Sequence, residues 1–414
     1  VYNLNKLIGA AVVGQSGGPT AAINATLAGV VRGALAADEI TKLYGMRNGV
    51  EGLLEERMVD LSELFGGDDA EDALRDLEHT PAAALGSCRK KLPSPSADTG
   101  ELAKLVEIFK KYDIRYFFYI GGNDSMDTVA KLTEYTRTVG YEMRIVGLPK
   151  TIDNDLCGTD HTPGYGSAAK YIATTLQEIV RDCAVYRVKA VTIVEIMGRD
   201  SGWLTVAAAL PRIISGSAPD LVYLPERDFS MESFFKDVKA ELAKKPNVVV
   251  AVSEGAHFAD GRYVGESTQS GSVDVFGHKY LAGTAKALEF AVKDEIGCKV
   301  RSIELNLPQR CAAHLASETD LTESADVGKA GVAAAVNGAS GCMMSIVRSS
   351  GEYAVTYEPK DIAGIANKVR TVPDEYINEA GNNVTDECLE YIKPLIAGQP
   401  VLRYKDGLPV IYVI

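Results

Sequence analysis

The chain has 414 residues, 46% of them hydrophobic and 24% charged, which suits a globular protein with room for two cores and excludes a peptide hormone or a disordered tail. A formal net charge of -13 and a pI near 5.0 argue against a nucleic-acid or anionic-membrane surface, leaving only a local basic pocket for a small anion. The seven cysteines are scattered without a C-x-x-C pair and the five histidines do not fall beside them at zinc spacing, so reduced thiols in a cytoplasmic compartment are expected.

In chain order, Leu7 to Val13 (LIGAAVV) is too short to span a membrane and runs directly into a glycine turn. It is expected to be a first core strand, not a signal segment, and no other stretch is long enough to cross a bilayer. The turn GQSGGPT opens the small-residue helix AAINATLAGVVRGALA. RYFFYI leads to GGNDS and the helix MDTVAKLTEYTRTVG, and MRIVGLP leads to KTIDND. KAVTIVEI then precedes MGRDSGWLTVAAALPR, DLVYLP precedes SMESFFKDVKAELAKK, and NVVVAVSEG precedes a Gly- and Ser-rich stretch from Asp260 to Gly277, read as a mobile loop able to close over a site. Short apolar strands alternating with helices predict an α/β fold with parallel sheets, divided naturally into two.

In such sheets ligands bind beyond the carboxyl ends of the strands, where the polar clusters of this chain fall. Ser16, Gly17 and Gly18 lie between a strand and a helix, where glycines let backbone N–H groups approach phosphate oxygens. Gly121 and Gly122, with Asn123, Asp124 and Ser125, form a second turn of this kind. Neither matches G-x-x-x-x-G-K-[ST] or G-x-G-x-x-G, and plain turn geometry is the competing explanation. In VGLPKTIDND, Thr151, Asp153 and Asp155 alternate in an extended segment and can face one cavity while Ile152 anchors the other side. One carboxylate can take a proton from a hydroxyl attacking phosphorus, and another can help hold Mg²⁺. An Asx turn in which the acids cap backbone N–H groups is the alternative.

The segments QSGGPTAAIN, LGSCRK, GGNDS, PKTIDND and EIMGRDSG occur in the order and approximate spacing of the 6-phosphofructokinase family, which the whole chain resembles apart from longer loops and C-terminal segments. The resemblance implies two Rossmann-like lobes with parallel sheets flanked by helices: a phosphoryl-donor unit of residues 1–165 with 310–365, and a fructose 6-phosphate unit of residues 166–309 with 366–414. By motif position it implies that Asp153 is the general base beside Thr151 and Ile152, and that Met197, Gly198 and Arg199 belong to the sugar-phosphate site. It further implies that Glu254 holds sugar hydroxyls, that Arg89 stabilises the transferring phosphoryl group, and that Arg301 and Arg310 grip the 6-phosphate, one of them across a subunit interface. Gly17 and Gly18 would cradle the donor, Mg²⁺ would be the cofactor, and a homodimer or homotetramer is expected.

Two departures from the ATP-using pattern bear on the donor. Asp124 and Lys150 stand where ATP-dependent members carry glycine, and by resemblance both mark the diphosphate-dependent branch. A carboxylate at 124 would occupy and repel where a nucleotide's α-phosphate would lie, while Lys150 could neutralise diphosphate. Asn123 replaces an aspartate associated with Mg²⁺, so the metal would lean on Asp155, on water, or on the amide oxygen. Ala190 and Leu307 fall where a phosphate-gripping arginine and a histidine are common, with Arg187 or Lys189 as possible substitutes for the former. The expected activity is diphosphate-dependent phosphorylation of fructose 6-phosphate at its 1-hydroxyl. The alternatives are an ATP-dependent enzyme of the family or a non-catalytic sugar-phosphate sensor, the latter disfavoured by Asp153, Arg199 and Glu254. An oxidoreductase lacks its strand–G-x-G-x-x-G–helix unit.

Overall fold

A computed structural model describes residues 6–97, 100–265 and 283–414. The two expected sheets are present. The first has seven strands in the order β11-β10-β5-β4-β1-β2-β3: β1 (Gly9–Gln15), β2 (Ile40–Met46), β3 (Met58–Asp60), β4 (Ile114–Gly121), β5 (Arg144–Pro149), β10 (Cys342–Arg348) and β11 (Val355–Asp361). The second has four, β7-β8-β6-β9: β6 (Ala190–Ile196), β7 (Leu221–Tyr223), β8 (Asn247–Ser253) and β9 (Lys299–Glu304). The second sheet is wholly parallel. The first is parallel only in its centre, because β3 and β11 pair antiparallel at its two edges. A short connection between β10 and β11 can only return the chain antiparallel, so the all-parallel expectation fails there.

Buried on both faces, β1 and β8 read as unbroken apolar runs, as central parallel strands must. Helices cover each face. The helix Ile23–Leu35 is built of small residues because it meets the helix Glu318–Val336 backbone to backbone: a Cβ at Gly29 would come within 1.9 Å of the Ala325 carbonyl oxygen. Any larger residue at Gly29 would drive the pair apart and open the core that Leu27, Val31 and Val332 fill.

The chain crosses between the sheets more than once. After β9 it returns to cover the first sheet with the helix Glu318–Val336 and to supply β10 and β11. Val372, Ile377, Leu389 and Ile392 then pack with Trp203 and the helix Tyr165–Cys183 beside the second sheet. The last residues of the stretch 366–414, expected with the second unit, lie against the first. Tyr412 donates its N–H to the Thr80 hydroxyl at 2.8 Å and its ring lies 5.8 Å from that of Phe65, while Arg403 pairs with Asp76. Tyr412 and Ile414 cover apolar surface of the first unit, which decides where this tail lies. Of the loop expected from Asp260 to Gly277, residues 266–277 lie outside the described residues.

Candidate active site

Every strand that carries a sequence motif delivers it at its carboxyl end. β1 ends in Ser16–Thr20, β4 in Gly122–Asp124, β5 in Lys150–Asp155, β6 in Met197–Ser201, and β8 in Glu254. Between them lies a cavity of ≈ 240 Å³ that collects Gly18, Arg89, Lys150, Thr151, Ile152, Asp153, Asp155, Met197, Arg199, Glu254 and Arg310. An adjoining cavity of ≈ 690 Å³ is lined by Gly17, Gly18, Glu51, Arg89, Lys90 and Arg310 among others. Cations therefore span both spaces, and carboxylates concentrate in the first.

The β5 segment turns sharply after Thr151. Thr151 donates its N–H to the Pro163 carbonyl at 3.2 Å, and the Asp153 N–H is held by the Thr151 hydroxyl at 3.1 Å. Asn154 adopts a left-handed φ of 53°, and its side-chain oxygen takes the Thr162 N–H at 3.0 Å. The acids do sit in a turn, and both Asp153 and Asp155 line the cavity.

On the β6 side, Gly198 has φ 126°, and a Cβ there would lie 2.4 Å from the Ser201 carbonyl oxygen. Gly198 itself does not line the cavity. Its N–H donates to Glu254 Oε1 at 3.1 Å and its carbonyl accepts from the Ser253 hydroxyl at 2.5 Å, so it aims Glu254. The Met197 N–H donates to Gln309 Oε1 at 3.2 Å. Arg199 Nε is buried without a hydrogen-bond partner among the described residues, a donor left for an anion or a sugar oxygen.

Burial dominates the electrostatics. It pushes the Lys150 ammonium down to about 8, with Asp153 pulling the other way and Arg310 and Arg89 adding to the fall. It pushes Asp153 up, against the pull of Lys150 and Arg199. Asp155 is raised to about 7 by burial and then by Asp153, and Glu254 to about 8, chiefly by burial. Burial thus outweighs mutual charge compensation at each of these groups, a pattern that clusters at functional sites.

Six residues named from the sequence stand elsewhere. Asp124, in the first turn of the helix Asn123–Thr138, lines neither cavity and forms an ion pair with Lys91 at 3.1 Å. Asn123 precedes it, its side-chain oxygen buried and unpartnered among the described residues. Arg301 lies on the edge strand β9 and lines a separate space of ≈ 100 Å³ with Cys183, Tyr186, Val188 and Ala190. Gly198 acts through Glu254, as above. Lys189 lines a different cavity beside Lys239 and Lys299, and Leu307 is exposed. Sequence reasoning missed Pro19, Thr20, Asp200 and Ser201 in the cavity wall and the supporting Gln309. Each directly follows or precedes a residue of a recognised motif, and that adjacency was the available signal.

The phosphofructokinase family model matches residues 10–322. The chain belongs to the phosphofructokinase family. A pyrophosphate--fructose 6-phosphate 1-phosphotransferase of Halomonas elongata is 39% identical to this phosphofructokinase over 95% of this chain and 93% of its own. One of the same description from Xanthomonas campestris is 40% identical with the same coverage. The crystal structure of the pyrophosphate-dependent phosphofructokinase of Nitrosospira multiformis superposes with a TM-score of 0.87 at 36% identity, over 97% of this chain and 95% of that one. No helix of the described residues is long and apolar enough to cross a membrane.

Proposed function

We propose that this phosphofructokinase transfers a phosphoryl group from diphosphate to the 1-hydroxyl of fructose 6-phosphate, reversibly, giving fructose 1,6-bisphosphate and phosphate. The observation that carries the reading is that Lys150, a lysine where nucleotide-using members have glycine, shares one buried cavity with Asp153. The relatives described as pyrophosphate-dependent support the same donor.

Asp153 takes the proton of the sugar hydroxyl as that oxygen attacks phosphorus. The bond from phosphorus to the bridging oxygen breaks, and phosphate leaves with the electron pair. Lys150 and Arg89 offset the negative charge at the transferring group, and the backbone at Gly17 and Gly18 cradles the donor. Thr151, Ile152, Met197, Arg199 and Glu254 orient the sugar, and Arg310 holds its phosphate end. Loss of turnover with diphosphate and gain with ATP, in a side-by-side assay of the purified protein at saturating fructose 6-phosphate, would overturn the reading.

Mg²⁺ fits the residues present when carried in by diphosphate. Mg²⁺ takes one or two protein carboxylates and completes its shell with phosphate and water, and Asp155 lines the cavity. Asp155, crowded by Asp153 and Asp200, would hold it, whereas Asn123, expected as its second ligand, lines neither cavity. Bound there, the ion would neutralise diphosphate charge. Arg301 faces away from its own chain's cavity, beside exposed Val185, Tyr186 and Val188, which supports a homodimer or homotetramer in which it serves a neighbour. The cysteines of the described residues are free thiols, in keeping with a cytoplasmic enzyme.

A further inference from the structure

His161 closes the loop that carries Asp153 and Asp155, and nothing in the proposed chemistry uses it. Its ring is almost fully buried and makes two contacts. Nδ1 lies 2.7 Å from Asp160 Oδ2 and Nε2 lies 2.5 Å from Glu323 Oε2, on the helix Glu318–Val336. An ionised carboxylate only accepts hydrogen bonds, and a neutral imidazole has a single N–H. Two carboxylates facing both ring nitrogens at these distances therefore call for a ring with both protons.

The surroundings balance that charge. Arg348 of β10 donates its Nε to Asp160 Oδ2 at 3.0 Å, and Tyr353, between β10 and β11, donates its hydroxyl to Glu323 Oε1 at 2.6 Å. Tyr391 donates to the Asp160 carbonyl at 2.6 Å, and Arg370 to the carbonyls of Asn154 and Thr159 at 3.2 and 3.1 Å. Each carboxylate is thus answered by a cation or a donor. The next residue, Thr162, carries the connection to the site: its hydroxyl donates to the Thr151 carbonyl at 2.8 Å and its N–H to Asn154.

We propose that His161 is a positioning residue: a doubly protonated pin between Asp160 and Glu323 that fixes the loop on the helix Glu318–Val336 and so sets where Asp153 meets the sugar hydroxyl. Burial opposes the ring's charge, while Asp160 and Glu323 favour it strongly enough to raise its affinity for the second proton overall. Because that affinity is raised above the ring's ordinary value, the pin is lost only as pH climbs past the raised value.

The positioning role rests on the proposed phosphoryl transfer, but the ring's charge does not, so the test has two arms. In the first, ¹⁵N imidazole spectra of the full-length protein, with His161 assigned by comparison with His161→Gln, should show both ring nitrogens protonated at pH 7. A singly protonated ring there overturns the proposal. In the second, Glu323→Gln removes one carboxylate while leaving His161 in place. Its ring should titrate at lower pH, and kcat should acquire an alkaline fall coincident with that titration, with both KM values changed by less than about threefold. A turnover that stays flat while the ring loses its proton overturns the role, because a merely structural residue would lower stability without tying kcat to that titration. Wild-type protein inactive with diphosphate would instead sink the proposed function, and the spectra would still decide the charge.

Discussion

The Lys150 ammonium donates to the Gly18 carbonyl at 2.5 Å, joining the loop after β5 to the turn after β1. It also lies 3.3 Å from where a side chain on Gly17 would begin. The two motifs that the sequence offers separately, a glycine turn and a lysine before TIDND, thus meet in space. Under the proposed transfer, diphosphate would take the ammonium from that carbonyl, and the contact already holds Lys150 beside the turn.

Lys150→Met should therefore lower diphosphate-dependent turnover by roughly 100-fold, the size of a charge-assisted contact of a few kcal/mol made in the transition state, with little change in KM for fructose 6-phosphate. The ammonium must be charged to act, and its value is depressed to about 8. The kcat/KM for diphosphate should accordingly fall as pH rises through about 8, and the variant should lose that limb. An unaltered alkaline limb in Lys150→Met assigns it to another group.

Asp153→Asn should keep both substrates bound and reduce kcat by about 10²–10⁴-fold, the usual range for removing a general base. Isothermal titration alongside steady-state rates separates the two quantities. Near-normal kcat in the folded variant ends the assignment.

The ion pair between Asp124 and Lys91 changes how nucleotide would be refused. Asp124 is already partnered by a cation, so bulk should matter more than charge. Asp124→Gly is expected to admit ATP as a weak donor, while Asp124→Asn, equal in size but uncharged, should still exclude it. ATP turnover in the asparagine variant matching that of the glycine variant would point to repulsion instead.

Arg310 and Arg301 should behave differently, since only Arg310 lines its own chain's cavity. Arg310→Ala should weaken both substrates, because that guanidinium borders the donor space as well. Arg301→Ala should raise KM for fructose 6-phosphate alone, by 10-fold or more, if a second copy supplies it. Co-expression of Arg301→Ala with Asp153→Asn should then yield more activity than either variant by itself, from mixed oligomers with an intact site. No gain on mixing, in demonstrated hetero-oligomers, removes Arg301 from the neighbour's site.

Glu254 links activity to stability. Its folded-state value of about 8 lies above that of an exposed glutamate, so the folded chain holds the proton more tightly than the unfolded one. The resulting stabilisation is complete at acid pH and lost as pH rises through about 8. Glu254→Gln can keep the contact from the Gly198 N–H without carrying charge, and should stabilise the ligand-free protein by ~1–2 kcal/mol at pH 8 relative to wild type while weakening sugar binding. Denaturation at pH 5 and pH 8 measures the difference; an equal effect at both would show that charge is not its cause.

The sequence made the motif-bearing strand ends legible because backbone rules act locally: an apolar run, then glycine or proline, then polar residues. That is how β1, β4, β5, β6 and β8 and the cluster Thr151, Asp153 and Asp155 could be named, while Arg89, Met197, Arg199, Glu254 and Arg310 were named through the family resemblance. Contacts made by distant segments were not legible. Nothing in the spacing of Asp124 reveals Lys91, and Gln309, which reaches across to the Met197 N–H, looks like any polar residue beside an arginine. Tyr412 and Ile414 show the same limit at larger scale, because which core a tail covers depends on the apolar surface left bare, a property of the assembled fold.

Arg370 has a further consequence for how the enzyme is made. It donates its backbone N–H to the Asp155 carbonyl at 2.7 Å and its side chain to the carbonyls of Asn154 and Thr159, and its guanidinium stacks 4.9 Å from the Trp203 ring centroid. The loop it braces leaves the ribosome more than two hundred residues earlier than Arg370 does. A nascent chain can therefore build β1, β4 and β5 and still lack the support that holds its reactive loop in place, so the loop is braced only once Arg370 has been made.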